Sequence, residues 1–138
     1  MVVRVPVELK SGEMTLRTAA LANSGYEAEE PEVHIPIALA RKLGFKLEGI
    51  RGERYGVVGA EVTAYILGEV MLRAKTEDRE SNWIRARAVT VPGEYEVILS
   101  DSLMEEMGIE ILKPSSGLWR FSGESGVRES EKASYWPD

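Results

Sequence analysis

The pattern that most restricts the fold of this chain is an apolar strand that ends at a short polar loop, and it occurs twice. Residues 19–22 lead into Asn23, Ser24 and Gly25, and residues 97–99 lead into a Ser-Asp-Ser loop. An apolar run without polar alternation is typical of a strand that is covered on both faces. Each half also contains a helix that ends at a glycine between two apolar residues: Leu43, Gly44 and Phe45, then Met107, Gly108 and Ile109. Two such similar halves predict a mainly β protein, a closed β-barrel with pseudo-two-fold halves and two short helices.

The remaining strands are predicted from runs of β-branched and aromatic residues between turn signals. Predicted strands span residues 2–9, 14–22, 33–35, 55–58, 62–67, 69–74, 83–91, 95–99, 109–112 and 118–121. Pro6 suggests that the first strand lies at a sheet edge, because proline cannot donate to a ladder. Gly59 and Ala60 are expected at the tip of a long hairpin.

The two helices and the end of the chain carry their own signals. Pro36 is expected at the first position of the first helix, whereas Ser102 and Glu105 fit a capping box for the second. We expect the barrel to span residues 1–121. Residues 122–138 are rich in Ser, Gly and Glu and predict a flexible tail.

Composition narrows the chemistry that the chain can carry. Its 138 residues include 17 basic and 23 acidic side chains, and the net charge of −6 argues against nucleic-acid binding. Cysteine is absent and His34 is the single histidine, so we expect neither a metal nor a cofactor. Glutamine is also absent and Asn23 and Asn82 are the only asparagines, a bias that favours a thermophile. No run approaches the roughly 18 apolar residues of a membrane span, so we expect a cytoplasmic protein without membrane contact.

In their order and spacing, these features resemble the retropepsin-type aspartic peptidases over about residues 3–121. In that family a hydrophobic strand leads into an Asp-Thr/Ser-Gly loop, followed by a proline-led segment, a glycine-tipped flap and an apolar run into a helix. The loop residues here are Asn23, Ser24 and Gly25, and the flap and substrate-binding residues are Tyr55, Val57, Val58, Gly59, Ala60 and Val62. The resemblance implies an acid protease fold and a homodimer whose cleft holds an extended peptide or protein segment.

Asn23 stands where the family has its catalytic aspartate. The family's two subunits each give one carboxylate, and the pair shares a proton because like charges ~3 Å apart cannot both ionise. An amide has no ionisable proton in the working range, so two Asn23 side chains would supply neither general base nor general acid. We therefore expect a degenerate loop and a non-catalytic peptide- or protein-binding module.

An aspartic endopeptidase with a two-carboxylate mechanism is the first alternative, with Asn23 an inactivating substitution or with Asp101 contributing the acid. Asp101 lies in the second polar loop, where it also fits a helix start. A second alternative is a DNA-binding protein, since residues 35–44 and a nearby hairpin loosely resemble swapped-hairpin factors of the AbrB type. The acidic charge of the chain disfavours that alternative.

Three further groups have a structural interpretation beside a functional one. The glutamates within residues 27–32 could bind a cation, although their spacing favours a solvated acidic loop. His34 is expected to be a packed or surface strand residue. Trp119 and Phe121 are expected in the core or a subunit interface, with Arg120 on the opposite face of their strand.

Overall fold

The computed structural model describes residues 2–48, 51–57 and 60–138, and for residues 51, 53–57 and 60–62 it describes the backbone. Ten strands and two helices lie within these ranges. The strands are β1 Val3–Ser11, β2 Met14–Ala22, β3 Glu32–His34, β4 Arg51–Val57, β5 Ala60–Ala74, β6 Ile84–Thr90, β7 Val97–Leu99, β8 Ile109–Lys113, β9 Leu118–Phe121 and β10 Arg128–Glu129. The helices are α1 Ile37–Lys42 and α2 Asp101–Met107.

Six of these strands close into a barrel. Around the ring they follow the order β1, β2, β7, β3, β6 and β5, and β1 pairs with β5 to close it. The β2–β7 and β3–β6 pairs are parallel, and the other four pairs are antiparallel. Each of the six strands therefore has a partner on both sides over at least part of its length. The prediction of a mainly β protein with a closed barrel and two helices is confirmed.

The core fills the barrel from alternating strand positions. Val3, Val5, Val7 and Leu9 of β1 are at most 1% exposed, and small alanines of β2 and β6 lie in the same core. Burying each larger aliphatic side chain contributes about 1.5–3 kcal/mol relative to leaving it exposed. The barrel interior is therefore packed with side chains, and any ligand site has to lie outside it.

The aromatic pair of β9 extends this core. The rings of Trp119 and Phe121 meet edge to face with centroids 5.1 Å apart, and both side chains are buried. Arg120 lies between them in sequence and pairs with Glu110 of β8 at 2.8 Å. The alternation predicted for these three residues is confirmed.

One long strand replaces two predicted ones. The sequence predicts a break between residues 62–67 and 69–74, but β5 runs through both segments without interruption. Gly68 adopts a φ of 138°, and the register with β6 shifts between Ile66 and Gly68. A β-bulge, which bends a strand and keeps most of its pairing, explains why a glycine here does not end it.

The prediction that β1 is an edge strand is also wrong. Pro6 pairs with Ala19 of β2, and from Val7 onward β1 pairs with β5 on its other side. Pro6 lies just beyond the end of the β5 ladder, where its carbonyl accepts a hydrogen bond from Lys75 N at 2.9 Å. Proline is tolerated there because the ladder requires no N–H at that position.

The helix starts are offset from their predicted residues. Pro36 occupies the N-cap of α1 rather than its first turn. Ser100, two residues before the predicted Ser102, caps α2 by accepting a hydrogen bond from Leu103 N at 3.2 Å. Gly108 ends α2 in the left-handed conformation, with a φ of 73°, as its position in the sequence predicts.

The C-terminal segment 122–138 follows a defined path along the barrel. It pairs with β9 through β10, and Ser130 Oγ then accepts a hydrogen bond from Arg4 N at 2.7 Å. Ala19 of β2 lies beyond the residues that pair with β7, and its N–H donates a hydrogen bond to Ser134 Oγ at 3.1 Å. Trp136 packs against the core and donates from Nε1 to Thr18 Oγ1 at 3.0 Å. The segment thus provides hydrogen-bond partners for β1 and β2.

Arg128 joins the beginning of this segment to the turn between β5 and β6. Its guanidinium binds both carboxylate oxygens of Asp78, at 2.7 and 2.9 Å, and both oxygens of Glu124, at 3.0 and 2.6 Å. The Arg128 bonds lower the pKa of Glu124 to about 2 and hold the pKa of Asp78 well below its usual range. A carboxyl group whose pKa is lowered by folding stabilises the fold at pH values above its unfolded-state pKa. This stabilisation is lost as the pH falls.

We predict that Arg128→Met flattens the acid branch of the stability profile. The unchanged protein loses free energy of unfolding as the pH falls from about 4 to about 2, because Glu124 and Asp78 must be protonated; the variant loses less over that range. Urea unfolding at a series of pH values measures both slopes. Arg85→Met is the control, because the Arg85–Glu69 pair is 3.5 Å apart and both side chains are more than two-thirds exposed. Equal acid slopes in Arg128→Met and the unchanged protein would contradict the assignment.

Candidate functional site

The first polar loop begins at the end of a strand that is paired on both sides. Ala22 lies opposite Val3 of β1 and Leu99 of β7. Asn23 follows directly and is exposed, and its Oδ1 accepts a hydrogen bond from Gly25 N at 3.0 Å. The barrel thus holds the backbone before Asn23 rigidly, whereas the side chain itself projects into solvent.

Gly25 leaves room for this turn. A Cβ at residue 25 would lie 3.2 Å from Asn23 Oδ1, which is tighter than nine in ten real Cβ contacts, so the exposed Asn23 side chain would have to shift by a few tenths of an ångström. Because Gly25 has no side chain, the side-chain amide oxygen of Asn23 can approach the Gly25 N–H. Tyr26 N closes the turn by donating to the Asn23 carbonyl oxygen at 3.0 Å.

The second polar loop anchors the residues that follow the first. Asp101 Oδ1 accepts from Ala28 N at 3.0 Å and from Ser102 N at 2.7 Å, and Asp101 N donates to Tyr26 O at 2.8 Å. These bonds place the Asp101 carboxylate at the start of α2, as its helix-start interpretation predicts, where a negative charge is favoured. Asp101 therefore positions the segment after Gly25.

An open depression of about 500 Å³ lies beside the first loop. Its lining is mostly apolar and comes from four parts of the chain: Val2, Val3, Ala22, Asn23, Ser24, Met104, Ile111 and Pro114. Val2, at the rim, is 42% exposed. Sequence reasoning did not place five of these residues near the loop, namely Val2, Val3, Met104, Ile111 and Pro114, because only tertiary packing brings α2 and β8 to β1.

The predicted flap corresponds to the β4–β5 hairpin. Its backbone ladder pairs Tyr55 with Val62 and Val57 with Ala60. Val58 and Gly59 lie outside the described residues, and with Gly59 so does half of the predicted tip, Gly59 and Ala60. The side chains of Tyr55, Val57, Ala60 and Val62 also lie outside the described part of the chain, so the flap role of this hairpin stays a prediction.

The predicted acidic cluster divides into two environments. Glu32 is buried and accepts from the Tyr26 hydroxyl at 2.5 Å, with Arg87 Nε 3.5 Å from its other oxygen. Glu27, Glu29 and Glu30 are exposed. Within the described ranges no three acidic or histidine side chains are grouped as metal ligands.

His34 is a buried residue of β3, 3% exposed. Its Nδ1 lies 2.8 Å from the carbonyl oxygen of Glu96, which makes Nδ1 the protonated nitrogen, and Nε2 has no partner among the described residues. Burial lowers the pKa of His34 below 6.5, against the opposing effects of the Glu96 and Val91 carbonyls and the Glu94 charge. A neutral, packed histidine fits the structural interpretation of this residue.

Comparisons with known proteins identify no family. No protein-family model matches the chain, and no curated protein matches its sequence. Neither α1 nor α2, the helices of the described ranges, is long and apolar enough to cross a membrane. The retropepsin resemblance therefore depends on the motifs of this chain and their order.

We predict that His34 makes the protein less stable as the pH falls through the mildly acidic range. The unfolded chain takes up a proton near pH 6.5, whereas the folded chain takes it up only at lower pH, so the free energy of unfolding falls by at most about 1.4 kcal/mol per pH unit below that value. No other histidine titrates in this window. Urea unfolding between about pH 7 and about pH 5 should show the slope, and His34→Asn, which can still donate to Glu96 O, should remove it. A slope that persists in this variant would contradict the prediction.

Proposed function

We propose that this chain forms a retropepsin-like homodimer that binds an extended peptide or protein segment without cleaving it. One observation carries the proposal: an Asn-Ser-Gly loop leaves a doubly paired strand of a closed six-stranded barrel, with its amide exposed. This is the position and loop type at which the resembled family presents its carboxylate. Asn23 presents a neutral amide there.

The amide makes the proposed site chemically silent. Peptide hydrolysis by two carboxylates needs one group to take a proton from water and the other to protonate the scissile carbonyl. An amide accepts through its oxygen and donates through its NH₂ group, and it transfers no proton at either atom. Binding survives this loss because hydrogen bonds to a ligand do not require ionisation.

Two-fold pairing is supported by the surroundings of the loop. Each chain has one such loop, so a cleft with two of them requires two chains. The depression beside Asn23 is lined mainly by apolar residues, and Val2 is exposed at its rim. An apolar surface next to the loop suits burial against a second copy better than exposure to water.

The proposed ligand is an extended segment because the fold offers strand-like partners. In the long β4–β5 hairpin, β5 continues beyond the part that pairs with β1. Within the described part of the chain, the outer strand β4 pairs with β5 alone. Main-chain hydrogen bonds along a strand bind peptides with little dependence on their sequence. Flap residues of this hairpin would then lie over the ligand in the dimer.

We predict that Asn23→Asp restores peptide hydrolysis. The variant should cleave an unstructured protein substrate at acidic pH, where a carboxylate pair keeps its shared proton, by roughly 10²–10⁴-fold over the unchanged chain. The assay runs from about pH 3 to about pH 7 on protein whose mass confirms the Asn23 amide. Asn82→Asp is the matched control, since it makes the same change at the other exposed asparagine. Cleavage by amide-bearing protein, or none by Asn23→Asp, would contradict the proposal.

We predict that Val2→Glu weakens the dimer. A charge at the rim of the depression would be buried on pairing, which should raise the dissociation constant at least tenfold, or about 1.4 kcal/mol. Light scattering over a dilution series gives the constant. Val127→Glu is the control, because Val127 is 58% exposed and lies in the tail. If the unchanged protein is a monomer at all concentrations, the proposed dimer is contradicted.

A further inference from the structure

We propose that Asn23 is a deamidation site, and that loss of its side-chain amide converts the silent loop into one that carries a catalytic carboxylate. This inference rests on the proposed function, because the new carboxylate is useful only in a paired cleft. The chemical change replaces the side-chain nitrogen of Asn23, Nδ2, by an oxygen, so the amide becomes a carboxylic acid. The chain would then be a latent peptidase whose activity depends on its age and its thermal history.

The local structure leaves Asn23 open to this reaction. Asn23, Ser24 and Gly25 are all exposed, so water reaches the amide from solvent. The next residue is serine, whose small side chain leaves the approach to its own backbone nitrogen unhindered. Gly25, which follows, has no side chain to cover the turn.

The reaction balances with water as the only co-reactant. Ser24 N, on losing its proton to solvent, attacks Cγ of Asn23; a C–N bond forms, the bond from Cγ to Nδ2 breaks, and ammonia leaves with a solvent proton. Water then opens the resulting succinimide. Cleavage of the bond from Cγ to Ser24 N yields aspartate, whereas cleavage at the main-chain carbonyl yields isoaspartate. No electron is transferred.

The hydrogen bond from Gly25 N assists this step. It points at Asn23 Oδ1 at 3.0 Å, so it polarises the Cγ carbonyl and stabilises the negative charge that develops on Oδ1 during attack. A donor that is already in place requires no rearrangement for that stabilisation. The same N–H can bond to the carboxylate product, so the turn is preserved after conversion.

The chain contains its own comparison site. Asn82 is also exposed, but the next residue is Trp83, whose large half-buried ring hinders approach of the backbone nitrogen. Arg73 lies over that ring at 4.4 Å and Lys10 at 6.0 Å, which fixes it in place. With no glutamine and two asparagines in total, the chain has few side-chain amides that heat can hydrolyse. Asn23 is the more reactive of the two.

The test follows conversion and activity in the same sample. Freshly purified full-length protein is held warm at neutral pH, and at intervals peptide mapping by mass spectrometry measures aspartate and isoaspartate at residues 23 and 82. Cleavage of an unstructured protein is assayed at acidic pH on the same aliquots. Asn23→Asp gives the fully converted reference, and Asn23→Gln gives an amide that would have to close a larger, less favourable ring.

We expect residue 23 to convert while Asn82 stays intact, and cleavage to rise from none towards the Asn23→Asp level. Because each protomer supplies one carboxylate, the activity should grow as the square of the aspartate fraction when protomers exchange freely. Asn23→Gln should gain no activity over the same time.

The failures of this inference and of the proposed function can be separated. Active Asn23→Asp with residue 23 no more reactive than Asn82 would overturn the deamidation inference and leave the proposed function standing. Conversion to isoaspartate alone, without a rise in cleavage, would overturn it in the same way. An inactive Asn23→Asp variant that is folded would overturn the proposed function and this inference with it.

Discussion

The buried hydroxyl of Ser100 connects the first residue of β3 to the first turn of α2, and the position of the candidate loop depends on it. Ser100 is completely buried, and its Oγ accepts from Glu32 N at 3.0 Å and from Leu103 N at 3.2 Å. Its own N–H donates to Glu32 O at 3.1 Å. Losing the hydroxyl would leave two buried donors unsatisfied, at about 1–3 kcal/mol each. The segment between Asn23 and Glu32 connects β2 to β3. The two hydrogen bonds between Ser100 and the Glu32 backbone therefore fix the end of this segment that is farther from Asn23.

The sequence predicts those elements whose local signals need no distant partner. β2 and β9 begin and end at the predicted residues, since glycine or polar turns bound runs of residues that favour strands. The cap of α2 is different. Ser100, Asp101 and Ser102 stand at the start of that helix, and serine and aspartate can both cap. Ser100 does so because it alone also meets Glu32 N, a partner 68 residues away that no local pattern reveals.

The candidate site divides in the same way. Asn23, Ser24 and Gly25 are recognisable from sequence because a loop motif is contiguous, whereas the lining of the depression is assembled from β1, α2, β8 and the turn after it. Contacts with distant residues also matter for the C-terminal segment, whose composition does not reveal its contacts with the barrel. Residues 122–138 are mostly polar, but Arg128 and Trp136 make contacts that a composition average hides. A few specific contacts suffice to fix a polar segment on a barrel that is already folded.

Asparagine and aspartate fit the loop equally well, so the difference between them is electrostatic. Each presents an oxygen to Gly25 N, and neither needs more room at the turn. Two amides facing each other in the proposed dimer carry no net charge, whereas two carboxylates repel unless they share a proton. Pairing of the acid form is therefore coupled to proton uptake and strengthens as the pH falls, while pairing of the amide form is independent of that titration. In the proposed dimer, a single side-chain atom would thus determine whether pairing is independent of this titration or depends on acid.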